Sequence, residues 1–522
     1  MKARFYIESG FYLLVAGLFV TLFSYTTSPL YPWGDTPDSP IFQIIGKYWA
    51  EGIVPYKDLW DLKGPFIFFV NALGYGLTGT RIGVLVIQII SLFLTLLTIH
   101  RTFLLHFTRK YSFLLTLLSL AGLAYIYEGG NLTEEYILFP LSLSFYYMLR
   151  WLNNYEAAHE APHPASHAFV YGIVFGLCLM TRLTNALSLC AAIGVIAMVL
   201  LWHRKYRDLL LNAVSFLLGF AVITLPFFLY FYAHAALTDM WNGTFVFPLE
   251  YAGHSYQDVW ETGIHYFVLS YFNSILLLLV VVLLLWKLRA FTVRIVLYLL
   301  SAAIPFVWFC LGNGYGHYGM IVYPLFALAM IELHQLKKTY LTYAVALLIL
   351  VGAASKVRFL FVMYHWENKE VTACQEFLHQ NPSIDYSSFA AYNCDPNFYL
   401  AEEIRPAVPV FALQEMGGER IPQWESFVLT SFQTQKPQWI LVPRKADIVN
   451  DTRFALTADN HVGIRITLRC RKQTCQSVGR SEFVVGIDEK HPFRSRFRYT
   501  AESRRQWAAV FLPNEANLFG GV

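Results

Sequence analysis

Charged side chains are scarce in this chain of 522 residues. Asp, Glu, Lys and Arg together make up 14% of it, and hydrophobic residues make up 56%. A soluble protein has about a quarter charged residues, because its surface faces water. The shortage excludes an ordinary soluble globular protein. The net charge of +4 is spread over many loops and does not indicate a nucleic-acid partner.

Long apolar runs account for most of the sequence. A run of about twenty apolar residues is long enough to cross a bilayer core as a helix. We predict eleven such spans, near residues 9–27, 81–104, 111–127, 134–152, 168–186, 187–202, 209–233, 264–286, 293–311, 319–335 and 339–362. The first is interpreted as an uncleaved span, because no small-residue cleavage site follows it. The fold class is therefore an α-helical polytopic membrane protein.

The distribution of basic residues predicts the orientation of these spans. The segments "MKAR", "HRTFLLHFTRK", "WHRKYR", "WKLRAFTVR" and "HQLKK" all fall on one side of the predicted membrane. The positive-inside rule makes that side cytoplasmic. We expect a multi-pass protein of the cell inner membrane with a cytoplasmic N-terminus. The outer face then receives loops 28–80, 128–133, 235–263 and 312–318.

The region from 363 to 522 has an ordinary polar composition, unlike the membrane domain predicted for residues 1–362. Its helical signal "ENKEVTACQEFLHQ" and its β-like runs "SSFAAY", "QWILVP", "GIRITLRC" and "EFVVGI" predict a small extracytoplasmic α/β domain. Four of the seven cysteines lie here, at 374, 394, 470 and 475. An even number in an oxidising compartment suggests two bridges, whose pairing the sequence leaves open.

The first outer loop, residues 28–80, concentrates polar residues at the membrane surface. Asp38 precedes the amphipathic stretch "PIFQIIGKYWAEG", and the proline-bounded turn "VPYKDLWDLKGP" carries Asp58, Asp61 and Lys63. The following "FIFFVNALGYGL" is apolar but short, which is typical of a helix lying at the interface. Polar groups at a membrane face are costly unless paired, and so they are functional candidates.

Three further outer segments carry residues of the same kind. They contribute Glu128, Glu134 and Glu135 in "YEGGNLTEEY", Arg182 in "LCLMTRLTNAL", and Tyr315 and His317 in "GNGYGHYG". A carboxylate can act as a general base toward a hydroxyl group. Cations stabilise a departing phosphate. The set therefore suits sugar transfer from a lipid phosphate, with Asp38 as the base and Lys63 as a cation.

The combination of motifs resembles the GT-C superfamily of integral-membrane glycosyltransferases, which includes protein O-mannosyltransferases and the aminoarabinose transferases of lipid A. The resemblance covers roughly residues 1–335. It is carried by Asp38 soon after the first span, by the turn "DLKGP" that leads into a surface helix, by the acidic pair in "TEE", and by Arg182 at the end of the fifth span.

The resemblance implies roles for individual residues. Asp38 would be the catalytic base, Lys63 and Arg182 would bind the donor phosphate, and Glu134 or Glu135 would organise the acceptor or the sugar. The other substrate-binding candidates are Asp58, Asp61, His317 and Tyr315.

Two features depart from the pattern of many relatives. Ser39 stands where they have a second acidic residue, so a divalent metal stays open as a cofactor and no metal ligand is assigned. Lys63-Gly64-Pro65 stands where they have Lys-Pro-Pro, which indicates a different subgroup and a different sugar.

Each candidate also has a structural interpretation. Asp38 could cap the helix that follows it, and Asp35 is then the alternative base. Asp58 and Asp61 could form turns. Lys63 could extend to lipid phosphates without a catalytic role. Similarly, Arg182 could pair with a glutamate of the second outer loop, and the His317 ring could be an ordinary loop side chain.

We therefore expect a hexosyl- or pentosyltransferase of the cell envelope. It would move a sugar from a polyprenyl-phosphate donor to a glycolipid, polysaccharide or protein acceptor, with inversion. The alternatives are a transporter or flippase of lipid-linked sugars, which would show paired broken helices near mid-membrane, and an O-antigen ligase or polymerase. Apart from these substrates, membrane lipids are the expected partners.

Overall fold

A computed structural model describes residues 2–34, 38–158, 162–252, 268–311, 315–380, 382, 386–392, 394–414, 424–435 and 437, together with four strands nearer the C-terminus. The structure is predominantly helical. The helices as far as residue 252 are α1 (Lys2–Phe23), α2 (Asp38–Ala50), α3 (Pro65–Thr78), α4 (Arg81–Phe103), α5 (Arg109–Ile126), α6 (Leu138–Ala158), α7 (Ala165–Leu179), α8 (Leu187–Trp202), α9 (Tyr206–Ala233), α10 (Leu237–Trp241) and α11 (Phe247–Ala252).

The remaining helices follow in chain order. They are α12 (Phe272–Leu288), α13 (Val293–Cys310), α14 (Leu325–Gln335), α15 (Thr339–Tyr364), α16 (Lys369–Gln380), α17 (Asn397–Ala401) and α18 (Trp424–Gln435). Short 3₁₀ turns occupy Glu135–Ile137, Leu183–Ala186, Gly316–Val322 and Tyr386–Ser388, and a π-helical turn occupies Asn242–Val246. Three of these turns lie beside site residues that the sequence predicts.

Each of the eleven predicted spans overlaps a helix of the structure. Six helical segments in the described part are long and apolar enough to cross a membrane, and a seventh is obtained if the pair Gly316–Val322 and Leu325–Gln335, bent by 58°, counts as one span. The fifth predicted span ends earlier than expected, because α7 stops at Leu179 and the backbone turns before Leu183. The structure is thus that of a helical membrane protein with one bent span.

The first outer loop contains the two helices expected from its sequence. Helices α2 and α3 pack against each other, and Gly46 lies so close to Asn71 that a Cβ there would be 2.4 Å from the Asn71 Cβ. The opposite side of α3 exposes apolar residues, including Phe69 and Leu77. An apolar exposed face is what a helix at a membrane interface needs.

The C-terminal region contains a five-stranded mixed sheet. Its strands are β1 (Phe389–Ala391), β2 (Trp439–Val442), β3 (Phe454–Asp459), β4 (Gly463–Leu468) and β5 (Glu482–Val485), in the order β1-β2-β5-β4-β3. The first three strands in that order are parallel and the last two pairings are antiparallel. Four strands lie at the predicted β-like runs, and β3 was not predicted. The division near residue 362 stays a prediction.

Two large apolar cores and one small apolar cluster hold the described residues together. The larger core lies among the spans. The second core joins the first outer loop to the C-terminal region, since Trp60 packs against Trp424 and Phe427 with ring centroids 5.1 and 5.2 Å away. The Trp60 backbone N–H also donates to the Pro409 carbonyl at 2.9 Å. The C-terminal region is therefore fastened to the loop that carries the first candidate site residues.

The structure describes two of the four cysteines that we predict to form bridges. Cys374 and Cys394 are both buried, and the Cys394 thiol lies 3.6 Å from the Tyr392 carbonyl oxygen. Cys470 and Cys475 lie outside the described residues. The two-bridge arrangement stays a prediction.

Candidate active site

The first outer loop places the carboxylate of Asp38 beside the ammonium group of Lys63 at the start of α2. Asp38 is the first residue of this helix, where a carboxylate interacts favourably with the helix dipole. Its Oδ2 lies 3.7 Å from the Lys63 Nζ, and both side chains are partly exposed, at 30% and 20%. The pair thus remains open to a substrate. Asp35, the alternative base, lies outside the described residues.

The turn that carries Lys63 is fastened to the end of α7. The Gly64 N–H donates to the Thr181 carbonyl and the Phe66 N–H donates to the Met180 carbonyl, both at 2.9 Å. A Cβ on Gly64 would lie 2.2 Å from the Met180 oxygen. Only glycine fits at this position, which gives a physical reason for the departure from the Lys-Pro-Pro pattern. The same contact brings Lys63 toward Arg182.

A second ion pair lies next to the first. The Arg182 Nη1 lies 3.5 Å from the Glu134 Oε1, and the Glu134 Oε2 accepts a hydrogen bond from the Thr133 hydroxyl at 2.8 Å. Glu134 is 2% exposed, whereas Arg182 is 27% exposed. The guanidinium carbon is 3.7 Å from the centroid of the Tyr318 ring. Arg182 is therefore held on two sides while part of its charge faces the site.

The glycine-rich segment before α14 contributes a third pair. His317 Nδ1 lies 2.6 Å from the Glu128 Oε2. Tyr315 stacks parallel to the imidazole, with the centroids 5.7 Å apart, and Tyr318 meets it edge to face at 4.6 Å. Tyr318 therefore contacts both His317 and Arg182.

These pairs form one electrostatic group. Burial lowers the pKa of Lys63, but the carboxylates of Asp38 and Asp61 outweigh it and the net shift is upward. Arg182 and Glu134 also act on the charge of Lys63. We call Asp38, Lys63, Glu134, Arg182 and His317 the outer-face cluster. It combines two cationic side chains and one imidazole with two carboxylates at one end of the helices, where a phosphate and a hydroxyl could both be bound.

Asp61 lies beside this cluster as a buried carboxyl group with a raised pKa. Its side chain is 7% exposed, and Oδ2 has no hydrogen-bond partner among the described residues. Burial raises the pKa of this carboxyl to about 6, and the nearby Lys63 partly opposes the shift. Asp61 is therefore a buried acid next to the Lys63 ammonium.

Two predicted site residues are placed in structural networks instead. The Asp58 Oδ2 accepts from the Val54 N–H at 2.7 Å and so closes the turn. Glu135 is buried and accepts from the Gln88 side chain at 2.9 Å, from the Asn131 N–H at 2.7 Å and from the Tyr127 hydroxyl. Neither carboxylate joins the ion pairs of the outer-face cluster, so Glu134 is the member of the acidic pair that faces the site.

Sequence reasoning missed the polar network behind Asp38. The buried Asn131 Nδ2 donates to the Ser39 hydroxyl at 2.9 Å and to the Asn71 Oδ1 at 3.0 Å. The Gln43 Nε2 also donates to Ser39, at 3.1 Å. Asn131 is fully buried, so its "NLT" motif is a packing element in this structure. The signal was present as the run "EGGN", whose glycines indicate a tightly packed loop.

No family model matches the chain, and no curated protein matches it. Among solved structures, the chain is similar to the oligosaccharyltransferase of Archaeoglobus fulgidus crystallised with Zn and sulfate. The TM-score is 0.44 and the identity 14%, over 84% of this chain and 68% of that one.

Two further structures of the archaeal enzyme are similar to this chain. The complex of the oligosaccharyltransferase AglB with an inhibitory peptide and a dolichol-phosphate has a TM-score of 0.40 and 12% identity, over 84% and 70% of the two chains. The form tethered to an acceptor peptide has a TM-score of 0.38 and 16% identity, over 71% of this chain and 57% of that one. The function proposed below rests on the outer-face cluster.

Proposed function

We propose that this protein is a membrane glycosyltransferase that transfers a sugar from a polyprenyl-phosphate donor to a hydroxyl-bearing acceptor. The observation that carries the proposal is the outer-face cluster, in which the Asp38–Lys63 pair, at 3.7 Å, and the Glu134–Arg182 pair, at 3.5 Å, come from three separate segments of the chain. Such a cluster offers a base to one substrate and cations to the other.

The proposed reaction is a single displacement with inversion at the anomeric carbon. Asp38 accepts the acceptor's proton as the acceptor oxygen attacks. Lys63 and Arg182 stabilise the phosphate charge that grows as the bond to the anomeric carbon breaks. Since the Glu134 carboxylate is almost fully buried, it acts by holding Arg182 in place. The C-terminal region, fastened at Trp60, covers the loop or selects the acceptor.

The identity of the substrates follows the same chemistry. The donor is a sugar on a lipid phosphate, because Lys63 comes two residues before α3, whose exposed apolar face suits a membrane interface. We keep glycolipid, polysaccharide and protein as acceptor classes, and hexose and pentose as sugars.

A divalent metal stays open as a cofactor, and no residue is assigned as its ligand. The structure contains no group of three His, Cys, Asp or Glu side chains arranged as metal ligands within the residues it describes. Asp38 already forms an ion pair with Lys63, and the hydroxyl of its neighbour Ser39 accepts hydrogen bonds from Asn131 and Gln43. The proposed steps assign the base to Asp38 and the two cations to Lys63 and Arg182.

The test is transfer by the purified protein, supplied with radiolabelled polyprenyl-phosphate sugars and a membrane lipid extract. Asp38→Asn is run beside wild type, with Glu51→Gln as the matched control. Glu51 follows the other end of the same helix and is exposed. We expect transfer by wild type and by Glu51→Gln, and loss of transfer in Asp38→Asn with an unchanged thermal midpoint.

Two other results would contradict the proposal. Equal transfer by wild type and Asp38→Asn would move the base elsewhere, with Asp35 as the next candidate. Absence of transfer from every donor, together with movement of the labelled lipid across vesicles, would make the protein a flippase.

A further inference from the structure

The Glu128–His317 pair has no role in the transfer steps proposed above, although its geometry is well defined. Nδ1 of His317 lies 2.6 Å from a carboxylate oxygen of Glu128, so Nδ1 carries the proton and donates it. Nε2 lies on the opposite edge of the ring and points away from Glu128. It has no hydrogen bond to the residues that the structure describes, and the imidazole is 14% exposed.

Glu128 is fixed by its own backbone. It begins the run "EGGN", in which four consecutive residues have positive φ, with Glu128 at 42° and Asn131 at 57°. A Cβ on Gly129 would lie 2.5 Å from the Tyr25 ring, and a Cβ on Gly130 would lie 2.4 Å from the Ser24 hydroxyl. This backbone is costly and tightly packed, and it points the Glu128 carboxylate at His317.

The imidazole lies beside the group proposed to bind the phosphate. The ring of Tyr318 lies between the two side chains. Its centroid is 4.6 Å from that of the His317 ring and 3.7 Å from the guanidinium carbon of Arg182. Tyr315 closes the other face of the imidazole. Aromatic rings on two sides fix the plane of His317, and a carboxylate fixes its tautomer, which is how enzymes orient a general acid.

We propose that His317 is the general acid of the reaction and that Glu128 is its positioning residue. This inference rests on the proposed function. Asp38 takes the acceptor's proton, and the acceptor oxygen forms the new bond to the anomeric carbon. The carbon–oxygen bond to phosphate breaks with its electron pair on that oxygen, which takes the Nε2 proton. On product release Asp38 returns its proton through solvent and His317 is protonated again.

The charges around the imidazole are consistent with a proton-bearing ring. The carboxylates acting on it are those of Glu128, Glu134 and Asp38. The opposing charges are Arg182, on the far side of Tyr318, and the Lys356 ammonium, which interacts with Glu128 from α15. Removing the negative charge at 128 would therefore make the imidazolium easier to deprotonate.

The experiment measures kcat and KM against pH for wild type, His317→Asn, Glu128→Gln and Glu128→Asp in the transfer assay above. Glu8→Gln is the matched control, since Glu8 is also a carboxylate beside a histidine, with its Oε2 3.8 Å from the His100 Nε2, but lies near the other end of the helices. Thermal midpoints verify folding.

We expect His317→Asn to lower kcat by about a hundredfold, within the range for a positioned acid or base. Glu128→Gln should lower kcat by about tenfold and move the alkaline limb of the profile to lower pH, while KM for the donor changes little. In Glu128→Asp the alkaline limb should move part of the way back toward its wild-type pH, and the Glu8→Gln profile should match wild type.

Two outcomes would overturn the inference while leaving the proposed function intact. One is a Glu128→Gln profile with the wild-type limb and a uniformly lower rate, which would make the pair purely structural. The other is His317→Asn with wild-type kcat. Wild type that transfers from no polyprenyl-phosphate sugar would instead contradict the proposed function itself.

Discussion

Gly64→Ala tests the contact that joins the first outer loop to α7. The backbone of Gly64 has φ −67° and ψ 156°, which alanine adopts freely, so the substitution adds no backbone strain. The added Cβ would lie 2.2 Å from the Met180 oxygen, whereas real Cβ atoms essentially never approach closer than 3.0 Å. The turn must therefore move away from Met180 by nearly an ångström.

The expected loss follows from that displacement. Overpacking of this kind costs about 1–3 kcal/mol of stability. A shift of ~1 Å in a positioned group can lower catalysis by about a hundredfold. Because the turn carries Lys63 and the contact brings it toward Arg182, we expect kcat to fall by more than the stability loss explains.

The assay is sugar transfer together with thermal unfolding in the same detergent. Gly76→Ala is the matched control, since Gly76 lies in α3 with nothing within 4 Å of a Cβ. That variant should keep wild-type activity and gain up to about 1 kcal/mol from helix propensity. Wild-type kcat and midpoint in Gly64→Ala would show that the turn is not held against α7 as described.

Three further predictions concern neighbouring residues. Asp61→Asn removes a buried carboxyl whose pKa is raised from 3.8 to about 6. The cost of ionising it in the fold begins near pH 4, its pKa in the unfolded chain, and is nearly complete above pH 6. The variant should therefore gain up to about 3 kcal/mol over wild type at pH 7 and only about 0.5 kcal/mol at pH 4; unfolding at both values measures this, and an equal difference would contradict it. Trp60→Ala should cost about 3–5 kcal/mol and speed proteolysis of the C-terminal region. Trp202→Ala, at a position 85% exposed, should leave proteolysis unchanged. Arg182→Lys keeps the charge but loses the flat contact with Tyr318, and we expect at least a tenfold fall in kcat, which equal rates would refute.

The sequence predicted the helices well because apolar run length is a local property. All eleven runs overlap helices, although only six, or seven with the bent pair, are long and apolar enough in the described residues to cross a membrane. The grouping of Asp38, Lys63, Glu134 and Arg182 follows from the ends of those runs meeting on one side.

The different partners of Glu134 and Glu135 could not be predicted from the sequence. Adjacent residues in a 3₁₀ turn point in different directions, and only the packed structure shows that Glu135 faces Gln88 while Glu134 faces Arg182. The Gly64–Met180 contact likewise joins segments more than a hundred residues apart, and no local pattern encodes it.

The core shared by Trp60, Trp424 and Phe427 has a consequence for exchanging parts between relatives. A chain cut at residue 362 would leave the indole of Trp60 with Phe247 but without Trp424 and Phe427, one residue from Asp61 and three from Lys63. A chimera that exchanges only the C-terminal region would have to reproduce both this aromatic surface and the Pro409 carbonyl. The first outer loop and the C-terminal region therefore form the smallest unit that can be grafted together.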